Sequence, residues 1–169
     1  MIKNSLLIAT FVGLFAVVVT SCGPNPKEAN EYKMRIDSLQ KAVVVAGNNV
    51  ELAFESFDTV KIEQSLRHAN LICENSLKQL RKVTPITRDS ILYENTGAFF
   101  ISFRKVLENE YQEKFNLYRI PDEQFTLENE KQVERLNTSK KQKLSKASQK
   151  LKDAEYEFAE RFNLTVISK

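Results

Sequence analysis

The chain has 169 residues, with 25 Lys plus Arg against 22 Asp plus Glu for a formal charge of +3, and 42% of its residues are hydrophobic. Four Gly and four Pro are too few for a collagenous or low-complexity chain, and the apolar fraction is too high for a disordered one. What is left is a packing domain of ordinary size.

The first 21 residues are rich in apolar side chains, and their only charge is Lys3. The stretch from Leu6 to Val19, with Thr10 and Gly13 inside it, would rise about 21 Å as a helix. That is short of the roughly 30 Å hydrocarbon core of a bilayer and suits the h-region of a signal peptide. Val19, Thr20, Ser21, Cys22 and Gly23 follow.

Residues 1–23 resemble the lipobox signal of bacterial lipoproteins. The resemblance implies a signal peptide over residues 1–21, cleavage between Ser21 and Cys22, a diacylglycerol on the Cys22 thiol and acylation of the new amine. One acyl chain holds a protein to a membrane only marginally, whereas two or three form a durable anchor. Gly23 is not the aspartate that resembles an inner-membrane retention signal in enteric lipoproteins, so the resemblance favours the outer membrane; whether the body faces periplasm or medium is left open. If Cys22 carries lipid, Cys73 has no partner within the chain, and no disulfide framework is expected.

Gly23, Pro24, Asn25 and Pro26 suggest a non-helical tether, placed over residues 22–28. Beyond it the chain holds only Gly47, Gly97, Pro85 and Pro121 as strong turn formers, which favours long helices over a many-turned β fold. Tyr32, Ile36, Leu39, Val43, Ala46, Val50, Ala53 and Phe57 alternate spacings of four and three, the heptad seam of a first helix over about 29–57. Gly47-Asn48-Asn49 is the alternative, a turn that would split it, although the seam keeps its phase from Ala46 to Val50.

Asp58 and Thr59 supply oxygens for an N-cap, and Ile62, Leu66, Ala69, Cys73, Leu77 and Leu80 carry a second helix over about 59–83, ended by Pro85. A third, over about 89–117, follows Leu92, Phe99, Phe103, Leu107, Tyr111 and Phe115. A fourth, over about 127–163, follows Val133, Leu144, Ala147, Leu151, Ala154, Phe158 and Phe162, with polar Asn137 and Lys140 in register, so its upstream half is expected to run past the core. Long helices with short connections and one apolar stripe each predict an all-α fold. The expected architecture is an antiparallel up-down-up-down four-helix bundle with left-handed, coiled-coil-like packing near +20° over residues 29–169.

The chemistry-bearing residues are sparse. A di-metal carboxylate bundle needs two Glu-x-x-His pairs, but the chain has one histidine, His68, and only Cys73 remains as a soft ligand; no metal or cofactor is expected. Cys73 falls on the second seam, where a free cysteine behaves as a small buried hydrophobe rather than as a nucleophile. No Gly-x-Ser-x-Gly, phosphate loop or dinucleotide fingerprint is present, and no enzymatic activity is expected.

The densest charge feature lies between Ser139 and Lys152, which holds six lysines and no acid. On a helical projection Lys143, Lys146 and Lys150 flank one side of the Leu144–Leu151 stripe, while Lys141 and Lys152 flank the other. These five are either a solvated face covering the seam's edges or a docking surface for something anionic, such as lipid headgroups, an envelope polymer or an acidic protein. Without interleaved aromatics, and in an exported protein, nucleic acid is not an expected partner. Phe99, Phe100 and Phe103 cluster beside Gly97 and suggest core packing or an apolar pocket near Phe99, Phe103, Leu66 and Ala69. Phe100 and Ile101 sit off the seam and would make the third helix a partner surface if exposed. The expected function is therefore that of a lipid-anchored envelope protein, a non-enzymatic module that binds a protein or polymer. The alternative is a small-ligand binder or sensor. The oligomeric state is not fixed by the sequence.

Overall fold

The computed structural model describes residues 25–86 and 90–164. The leader, the Ser21–Cys22 cleavage site, the lipidation site at Cys22 and the expected third-helix start at Asp89 lie outside the described residues. Within them regular structure is entirely helical, without a strand. Helix α1 spans Pro26–Glu55, α2 Thr59–Leu80, α3 Ile91–Val106, α4 Gln112–Tyr118 and α5 Leu127–Arg161. A π-turn, Leu107–Tyr111, joins α3 to α4, and a 3-10 turn, Asp122–Gln124, precedes α5. Four helices, counting α3 through α4 as one, pack around a shared core. No described helix is long and apolar enough to cross a membrane.

The first helix begins three residues before the expected 29. Pro26 occupies its first position, and the Asn25 side chain accepts from the Lys27 amide at 2.7 Å. Proline is tolerated there because its missing N–H would have had no helical partner and its fixed φ already suits a helix. The expectation that both prolines keep the tether non-helical is thus corrected at Pro26. Helix α1 passes through Gly47-Asn48-Asn49 without a break. Glycine is needed there because a Cβ at position 47 would lie 3.0 Å from Cε2 of Phe103, so the bare backbone lets that ring lie against α1.

The end of α1 needs a second correction. Phe57 is not the last seam residue; it stands outside the helix with φ +53° and is 74% exposed, while Phe54 takes the buried place. Asp58 caps α2 as expected, accepting from the amides of Val60 at 3.0 Å and Lys61 at 3.1 Å. Thr126 and Asn129 cap α5 reciprocally.

The third segment differs most from expectation. It is not one regular α-helix, and Phe100 is fully buried rather than off the seam. This segment packs against both α2 and α5, so its buried stripe is two residues wide: Phe99 with Phe100, Val106 with Leu107, Glu110 with Tyr111, and Lys114 with Phe115. Ile101 is exposed. The later pairs recur every four residues, but an α-helix advances about 400° over four residues and would rotate them out of the interface by about 40° each time. The wider π-turn absorbs that drift and keeps them facing inward.

Candidate functional site

Helix α5 borders two grooves, one toward α1 that Tyr111 of the π-turn lines and one toward α3 whose Lys143 is paired with Glu110 of the π-turn. Its neighbouring residues Glu110 and Tyr111 reach different partners. The Tyr111 hydroxyl donates to Oε1 of Glu51 at 2.5 Å, and Nζ of Lys140 donates to the same oxygen at 2.5 Å while lying 5.0 Å from the centre of the Tyr111 ring. Lys140, at an in-register seam position, is therefore largely buried instead of solvated. Next to it Lys114 donates to Oδ1 of Asn137 at 3.1 Å and lies 4.6 Å above the ring of Phe54.

Burial raises the pKa of Glu51, but hydrogen bonds from Lys140 and Tyr111 outweigh it and hold the carboxyl below its ordinary value. Burial lowers that of Lys114, and the Lys140 charge adds to the effect. Burial also lifts the Tyr111 phenol well above its usual range, with Glu51 reinforcing the shift.

Toward α3, Glu110 is only 6% exposed and accepts from Ser139 Oγ at 2.9 Å and from Lys143 Nζ, both on Oε1. Oε2 of Glu110 has no hydrogen-bond partner among the described residues. Burial again works against ionisation here, yet the Lys143 and Ser139 hydrogen bonds leave the pKa lowered. A carboxylate held inside in this way fixes one lysine of the cluster and leaves the others available.

The lysine cluster is divided accordingly. Lys143, Lys146 and Lys150 line a groove of about 350 Å³ between α3 and α5, together with Lys105, Asn95, Ser102 and Asn109. Among the described residues Lys105, Lys146 and Lys150 have no ion-pair partner. Lys141 faces the other way and lines the groove between α1 and α5. Lys152 is exposed and shares the helical face of Lys141 by its spacing. Neither Lys105 nor Glu110 was singled out in the sequence, and Tyr111 was expected only as an apolar seam residue. Lys105 lies on a different helix from the lysine run, and only the packing of α3 on α5 joins them.

The residues expected to form an apolar pocket are not all brought together. Phe99 and Phe103 floor a groove of about 610 Å³ whose walls come from α1 and α5. Leu66 and Ala69 are closed in the core on α2. Cys73 is fully buried, its thiol donates to the Phe100 carbonyl oxygen at 3.2 Å, and burial pushes its pKa up to about 11, so it is a thiol rather than a thiolate at neutral pH. His68 is exposed on α2. Among the described residues no three His, Cys, Asp or Glu side chains converge to hold a metal ion.

Comparison with protein-family models, with curated proteins and with solved structures finds no match.

Proposed function

We propose that this is a lipid-anchored protein of the bacterial envelope, non-enzymatic, which holds an anionic partner against the groove between α3 and α5. The observation that carries the reading is the set of lysines without an ion-pair partner among the described residues, Lys105, Lys146 and Lys150, lining one concave surface whose described lining includes no acid. Ammonium groups converging across a groove attract an extended anion more strongly than the same charges spread over a convex face. The anchor is Cys22, and the outer membrane is its favoured location, on the strength of residues 19–23 alone.

The body is read as an up-down-up-down bundle with left-handed packing. The order of the side-chain contacts supports the up-down-up-down course, and the alternating four-three spacing of the apolar residues supports the left-handed packing. Tyr32 meets Phe158 and Glu51 meets Lys140, so numbering rises along α1 as it falls along α5. Gln40 meets Thr96 and Phe54 meets Tyr111, so α1 and the third segment rise together.

The test is a titration of the full chain, held in nanodiscs of zwitterionic lipid, with polyglutamate and with polyphosphate as two linear anions. Binding of at least one is expected, with log affinity falling linearly against log salt as counterions are displaced. Failure of both to bind at low salt would contradict the reading, and binding independent of salt would contradict its electrostatic basis.

A further inference from the structure

Among the described residues α1 and α5 border each other without any pair of their Cα atoms coming within 8 Å. Side chains bridge the gap at Glu51–Lys140 and at Tyr32–Phe158. Between those bridges lies the open-sided groove of about 610 Å³, within the roughly 300–1,000 Å³ typical of small-molecule sites. Its floor is aromatic, Phe99 and Phe103, and Gly47 lets the Phe103 ring lie directly against the α1 backbone. Val44 and Leu144 add aliphatic walls that stay partly open to solvent.

Polar groups gather where Asn137, Lys140 and Lys141 of α5 face Glu51. The Glu51 carboxylate is already saturated on Oε1 by Lys140 and Tyr111, and Lys140 neutralises it. Lys141 is left as an ammonium group without an ion-pair partner among the described residues. The Asn137 side chain has its oxygen occupied by Lys114, which leaves its amide N–H groups to donate. The groove therefore offers donors and one unneutralised positive charge at one end and apolar surface along the rest.

We propose that the groove between α1 and α5 is a binding site for a monocarboxylate amphiphile, its head group on Lys141 and Asn137 and its apolar body over Phe103, Leu144 and Val44. A carboxylate is matched here because two donors face it, whereas an amine head would meet the charges of Lys140 and Lys141, with the one carboxylate of the groove, Glu51, already paired to Lys140. The site does not depend on the α3–α5 groove, since Lys141 and Lys146 lie on different sides of α5.

The experiment uses the full chain in nanodiscs and dodecanoate bearing a photoreactive diazirine, with the corresponding dodecylammonium compound as the charge control. Mass spectrometry of the crosslinked peptides is expected to place the dodecanoate label around Val44 and Leu144. Lys141→Glu should lower that labelling about ten-fold or more, and Ser145→Trp, which fills the groove from an exposed rim position, should abolish it. Circular dichroism confirms that each variant keeps its helix content. Labelling absent from these peptides, unchanged in both folded variants, or equally strong with dodecylammonium would overturn the proposal. Polyanion binding by Lys141→Glu serves as the independent readout, because its loss would point to the other groove.

Discussion

Three carboxylates that are buried or partly buried, Glu51, Glu110 and Glu155, carry opposite signs in the acid response of the fold. Glu51 and Glu110 have pKa values below their ordinary 4.5, so the fold favours their charged forms. Their stabilisation is complete above pH 4.5 and is lost as pH falls through the lowered folded values. Glu155 is the reverse. Burial raises it, and neighbouring Asp37 adds to burial against the pull of Lys33, Gln40 and Lys152. Its charged form is disfavoured in the fold, and that cost is complete above its raised folded pKa and absent below 4.5. Denaturant unfolding across pH checks both signs. Glu155→Gln is expected to raise the midpoint at neutral pH, with the gain vanishing on acidification, whereas Glu110→Gln should lower it at neutral pH and flatten the acid loss. Glu110 was not legible in the sequence, since nothing there separates it from exposed Glu108 two residues before it. Cys73 was legible, because the seam placed it inward. It should resist alkylation in the native state and react only on unfolding.

At the scale of elements, four amphipathic segments and the Asp58 cap followed from spacing and turn chemistry. The π-turn left a signal that a heptad reading passes over. Phe99, Phe103, Leu107, Tyr111 and Phe115 are spaced strictly by four, and a regular α-helix would carry such a series about 160° around its axis. Phe57 was misplaced for a related reason, since periodicity does not mark where a helix stops and the chain turns through positive φ. Two substitutions probe the elements. Thr126→Ala removes the hydroxyl that accepts from the Asn129 amide at 3.3 Å and should cost about 1 kcal/mol in denaturant unfolding. Gly47→Leu forces a side chain into the space held by the Phe103 ring and should cost about 1–3 kcal/mol, the range of an overpacked core.

Across the whole molecule, the lysine run is continuous in sequence and divided in space. Helical projection separated Lys143, Lys146 and Lys150 from Lys141 and Lys152. It did not show which helix each group would face, because that depends on how α3 and α1 pack beside α5. Packing adds Lys105 to one side and leaves α1 and α5 apart on the other. The central claim is that the α3–α5 side receives the anionic partner. The most direct test compares polyanion binding by the full chain in zwitterionic nanodiscs with that of a Lys146→Glu/Lys150→Glu variant. Both positions are exposed, so the helix content should be unchanged. The account predicts that the double reversal removes binding and its salt dependence together, while Lys141→Glu leaves both largely intact. Undiminished binding by the double variant would contradict it.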